Sequence, residues 1–136
     1  MRQSLYNNAR AKLTLATAVR TNGTVAGTTV DLHENLDASR SAMLIVLAGT
    51  VTDGSSAVVL QESANGTDWT AVAAANLQGT VPALTSANDE AVYELGYLGS
   101  ARYLRASVTT SGATEGGTLG AVIVRAYPRR TPISHT

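Results

Sequence analysis

The chain has 136 residues, enough for one domain that buries a core without disulfides or metals. Its 44% hydrophobic content comes mostly from Ala, Val and Leu, with no Phe, and its ten acidic and ten basic residues cancel. A neutral chain is a poor electrostatic binder of nucleic acid, and the lack of cysteine excludes disulfide frameworks, thiolate metal sites and Cys nucleophiles.

The first twelve residues, "MRQSLYNNARAK", hold no apolar stretch of the secretory kind and are expected to form an extended arm. "KLTLATAVR" follows, with Leu13, Leu15, Thr17 and Val19 alternating onto one face of a strand. In "GTTVDLHEN", Val30 and Leu32 alternate against Asp31 and His33. "SAMLIVLAGTV" is almost continuously apolar and predicts a strand buried on both faces, or one at the centre of a sheet. Its apolar run, Ala42 to Gly49, falls far short of the roughly 20 residues that cross a bilayer.

"SAVVLQES" places Val58 and Leu60 on one face. The stretch "LQESANGTDW" then reads as a hairpin, because Asn65 and Gly66 both tolerate the positive φ of a type I′ turn. The loop is expected to hold about four or five residues. Trp69, the sole tryptophan, would begin the return strand and act as a packing anchor over one end of the core. "TAVAAANLQG" predicts a strand end followed by a loop or a single helical turn. "EAVYELGYL" aligns Tyr93, Leu95 and Tyr97, and "ARYLRASVTT" aligns Leu104, Ala106 and Val108 opposite Tyr103, Arg105 and Ser107. "TSGATEGG" reads as a flexible hairpin tip, and the closing strand "TLGAVIVRAYP" aligns Leu119, Ala121 and Ile123.

About eight strands separated by turn signals, with no helical pattern between them, predict an all-β fold. We expect a single-domain antiparallel β-sandwich, jelly-roll-like, over residues 13–127, with extended arms at 1–12 and 128–136.

Catalytic and cofactor signatures are sparse. His33 and His135 are the two histidines, and one His beside two carboxylates in "DLHEN" is a weak metal signal. The chain lacks G-x-S-x-G and H-E-x-x-H, and "SGATEGGTLG" lacks the Gly-Lys-Ser/Thr ending of a phosphate-cradling loop. No enzyme, cofactor or metal is therefore expected. Arg102, Tyr103 and Arg105, with Arg125 and Tyr127, interleave base and aromatic on strands. That pattern suits stacking on RNA bases, cross-strand Tyr–Arg packing or a protein interface rich in both residue types. Zero net charge argues against the first. The expected interface residues are Tyr97, Arg102, Tyr103, Arg105, Arg125 and Arg129.

Four segments carry a resemblance: "VVLQESANGTDWTAV", "ELGYLGSARYLRASVTTSGAT", "LGAVIVRAYPRRTP" and, more weakly, "AMLIVLAGTVTDG". In this order they resemble a family of small proteins encoded with the head genes of tailed bacteriophages and prophages. The likeness covers about residues 42 to 132, and Arg102-Tyr103-x-Arg105 is its most specific part. The resemblance implies a structural protein of the virion, assembled in the bacterial cytoplasm, and most plausibly a minor capsid or decoration protein. Its partner would be the major capsid protein, and it would act as a homo-oligomer, with a trimer matching the threefold sites of a shell. A neck, tail or head-completion component is the alternative within the particle. A virion-displayed carbohydrate-binding module, using Trp69 or the tyrosines as a stacking platform, is the alternative outside that role.

Overall fold

The computed structural model describes residues 4–34 and 38–128. Ten strands lie in two antiparallel sheets: β1 (Ala9–Arg20), β2 (Gly23–Ala26), β3 (Val30–Asp31), β4 (Ser41–Val51), β5 (Ser55–Ser63), β6 (Thr70–Ala71), β7 (Leu77–Gln78), β8 (Ala91–Tyr97), β9 (Tyr103–Ser111) and β10 (Gly117–Ala126). The first sheet has the order β1-β10-β4-β8-β7, and the second β2-β9-β5-β6, with β3 also on β9. All eight strands expected from the alternating pattern are present. The short β2 and β7 are additions, and a 3-10 turn at Ala74–Asn76 supplies the single helical turn.

The pairings nest. β1 pairs with β10, β2 and β3 with β9, β4 with β8, and β5 with β6. This is the pattern of one long hairpin whose tip is the β5–β6 turn. The contacts β10·β4 and β9·β5 then roll that hairpin into two facing sheets. Such winding defines a jelly roll, and the fold is a single-domain β-sandwich of that kind.

The core lies between the sheets and follows the strand alternation. Leu44, Val46, Leu119, Ala121 and Ile123 point in from the first sheet, and Val58, Leu60, Leu104, Ala106 and Val108 from the second. With no Phe and a preponderance of Leu, Val and Ala, the two layers interdigitate through branched side chains. Ser56 and Thr110, both buried, satisfy each other through a 2.8 Å hydroxyl contact.

The structure corrects the reading of β1. Leu15 is buried, but Leu13 is 50% exposed on the opposite face. A register shift between them turns the chain at Thr14. Thr14 goes inward, accepting from the Ala106 amide (3.1 Å) and donating to the Thr28 carbonyl (2.9 Å), so it ties β1 to the second sheet. Gly27 packs so closely here that a Cβ would overlap the Thr14 carbonyl oxygen. The N-terminal boundary also moves: of the arm expected at 1–12, Ala9–Lys12 are strand, paired with Ala126–Ile123, residues 5–8 form a turn, and 1–3 lie outside the described residues. Of the C-terminal arm, 129–136 lies outside the described residues.

β4 occupies the centre of its sheet, as its apolar run implied, but the described residues cover one of its faces. Across the outer face the registered rows read Ala11–Val124–Met43–Gly96 and Leu13–Val122–Ile45–Glu94, with Leu47 opposite Val92.

The tip "TSGATEGG" is clamped rather than loose. The Asp53 carboxylate, on the β4–β5 turn, accepts from the amides of Thr114 (2.9 Å), Glu115 (3.1 Å) and Gly116 (2.7 Å), and Asn22 Oδ1 accepts from Ala113 (2.8 Å). These amides hold the Asp53 carboxyl below its usual range, Gly116 most strongly. A group depressed in the folded state contributes stability above its unfolded pKa and loses it as the pH falls through the folded value. Asp53→Ala is therefore expected to speed amide exchange at Thr114–Gly116 while the core of β9 and β10 keeps its protection. Exchange followed by mass spectrometry checks this.

Candidate interaction surface

β9 alternates Leu104, Ala106 and Val108 inward, so Tyr103 and Arg105 face out from the second sheet. Each is built into a small stack. Opposite Arg105 in the register is Gln61, whose Oε1 accepts from Arg105 Nε at 2.8 Å. That bond aims the guanidinium over Trp69, 4.3 Å from the ring centroid. One step along, Asp31 lies opposite Tyr103. It takes Arg102 in a two-pronged bond, Nε to Oδ1 at 2.9 Å and Nη2 to Oδ2 at 2.8 Å. The Arg102 guanidinium then sits 5.1 Å from the Tyr103 ring centroid.

This pairing holds the Asp31 carboxyl below its ordinary value, chiefly through the bond from Arg102, and raises the Arg102 pKa in return. The His33 amide also donates to Asp31 Oδ1 (2.8 Å), which fixes the carboxylate from behind. The result is a row of planar groups, Trp69, Arg105, Tyr103 and Arg102, held side by side on one sheet face. Arg102 keeps 47% of its side chain exposed.

The β5–β6 turn supplies the Trp. It is not the type I′ turn expected from Asn-Gly. Gly66 has φ 78°, but Asn65 is not among the residues with positive φ. Instead the Asn65 side chain takes over: Oδ1 accepts from the amides of Thr67 (2.8 Å) and Asp68 (2.9 Å), and Ser63 Oγ accepts from Gly66 (2.9 Å). The loop is longer than expected, because the ladder stops at Glu62 opposite Thr70. Gly66 lies against the Tyr103 ring; a Cβ there would sit 3.7 Å from it. Trp69 is therefore half-buried on the outer face of the second sheet, outside the core cluster, and its anchoring partner is Arg105.

Two expected interface residues are interior. Tyr97 is 6% exposed, its ring in the core and its hydroxyl donating to Glu62 Oε2 while accepting from the Ala101 amide (3.0 Å). Burial, helped by the Glu62 carboxylate, pushes its pKa up to about 12. Tyr97 fastens the β8–β9 loop and offers no surface. Arg125 is 2% exposed. Its Nη1 donates to the Asp31 carbonyl (2.8 Å) and to Glu34 Oε2 (2.8 Å). Arg10, directly opposite Arg125 in the register, also donates to the Glu34 carbonyl (2.8 Å), and Lys12 reaches Glu34 Oε1 at 3.1 Å. Arg125 thus closes one end of the sandwich around Glu34. Arg129 lies outside the described residues.

The structure therefore brings together Arg102, Tyr103 and Arg105 and adds Trp69 to them. Asp31 and Gln61, which aim the two guanidiniums, were not singled out for that role. Their outward parity was visible, but their partners depend on which strands pair. No protein-family model matches the chain, and no curated protein or solved structure matches it either.

Proposed function

We propose that the chain is a structural protein of a tailed-phage particle, a minor capsid or decoration protein that binds the shell through the outer face of its second sheet. The carrying observation is the ordered Trp69–Arg105 and Tyr103–Arg102 array. Aromatic and Arg side chains dominate binding energy at protein interfaces. Here their conformations are set in advance by Gln61 and Asp31, which lowers the ordering cost of association. The jelly roll is compatible with this reading but hosts many functions, so it lends support and no more. The resemblance of residues 42 to 132 to phage head-module proteins points the same way.

Shell binding is preferred to glycan binding because the Arg105 guanidinium already covers Trp69. A sugar platform works best with a bare ring. Co-sedimentation with capsid shells of the source phage tests the proposal. Wild-type chain is expected to pellet with shells, and Arg105→Ala and Arg102→Ala to weaken binding by about tenfold or more at unchanged far-UV circular dichroism. Failure of the wild-type chain to bind any shell would overturn the reading.

A further inference from the structure

We infer that the outer face of the first sheet is a self-association surface, taken by the same face of a second copy of this chain. Antiparallel sheets that face solvent on one side normally carry polar residues there. This one does not. Leu13, Val122, Ile45, Met43, Val124 and Leu47 form adjoining rows, and Glu94 is the one charge within them. Leu13, Leu47 and Val92 remain 50%, 44% and 58% exposed. At the end of the face, Leu5 and Tyr6, 75% and 70% exposed, line a shallow, mostly apolar groove with Ala9, Ala11, Val124 and the largely buried Arg10.

Size and charge both favour a second copy as the occupant. Four strands of seven to twelve residues, at about 4.8 Å spacing and about 3.4 Å per residue, give a face of roughly 650 Å² in plan. Side-chain relief and the Leu5–Tyr6 rim bring this toward the about 800 Å² per partner of a standard stable interface. A twofold contact sets a patch against itself, so a strongly charged patch would repel its copy. A nearly uncharged apolar sheet meets no such penalty, and two such sheets pack face to face as sandwich layers do. The opposite face, with Arg102, Arg105 and Tyr103, stays free in this arrangement. The inference does not rest on the virion reading.

Sedimentation equilibrium of the full chain over a micromolar concentration series tests it. Twice the chain mass is expected. Leu47→Lys/Val92→Lys is expected to weaken the association by about a hundredfold or more, by placing unpaired charge in a desolvated contact, with circular dichroism and thermal unfolding showing an intact fold. Leu13→Lys, on the edge strand, provides a second variant should the first misfold. Val59→Lys, 43% exposed on the other sheet, is expected to leave the dimer intact. A wild-type monomer at every concentration would overturn the inference. So would a dimer that survives the face variants and dissociates with Val59→Lys.

Discussion

Glu34→Ala is expected to lower the unfolding free energy by about 3 kcal/mol, more than Arg125→Met. Arg125 is a cation taken out of water, and Glu34 is its carboxylate partner at 2.8 Å. Removing the carboxylate leaves that cation without its counter-charge, whereas removing the cation leaves a carboxylate that Lys12 and solvent still serve. The figure lies at the low end of the range for breaking a buried pair, because the Glu34 side chain is 34% exposed. The pH dependence follows the same carboxylate. Hydrogen bonds from Arg125, then Lys12, hold Glu34 below its usual pKa. Its contribution is therefore complete above the unfolded carboxylate value near 4.3 and fades as the pH falls through the lower folded value. Urea unfolding of wild type and Glu34→Ala across the acidic range is expected to show their stabilities converging at low pH. A constant gap would contradict the assignment.

Leu15→Ala is expected to cost about 2–5 kcal/mol and Leu13→Ala under about 1 kcal/mol, at a concentration low enough for the chain to be monomeric. Leu15 is 1% exposed within the core cluster, so truncation loses its transfer energy and leaves a cavity. Leu13, half exposed, loses little. Simple alternation would make the two equivalent, so the difference isolates the bulge at Thr14. Equal costs, read from denaturant midpoints at unchanged slope, would return β1 to a regular strand.

Much of the sandwich was legible because its strands obey a period of two. Val58 and Leu60, Leu104 to Val108, and Leu119 to Ile123 all point inward as their spacing implies. The same parity already placed Tyr97 with Leu95, and Arg125 with Ile123. Residue type suggested surface, but position on the strand decided for the interior. A buried arginine is tolerated here because Glu34 and the Asp31 carbonyl, more than ninety positions away, take its Nη1 donors, while its buried Nε finds no partner among the described residues. Tyr103 and Arg105 have the opposite parity and do face out. What periodicity could not reveal were features set by pairing: the Thr14 bulge, the Asp53 clamp on the β9–β10 tip, and the alignment of Gln61 with Arg105. The apolar outer face of β4 was visible as a continuous run. Its meaning changed once the fold showed that the described residues cover only one side.

Cryo-electron microscopy of intact particles of the phage proposed to encode this chain puts the proposed shell binding to its sharpest test. Density for this chain is expected at symmetric positions over the outer shell, with Trp69, Arg102, Tyr103 and Arg105 turned toward the capsid protein. Density confined to the portal vertex or tail, or no trace of the chain in the particle, would contradict it.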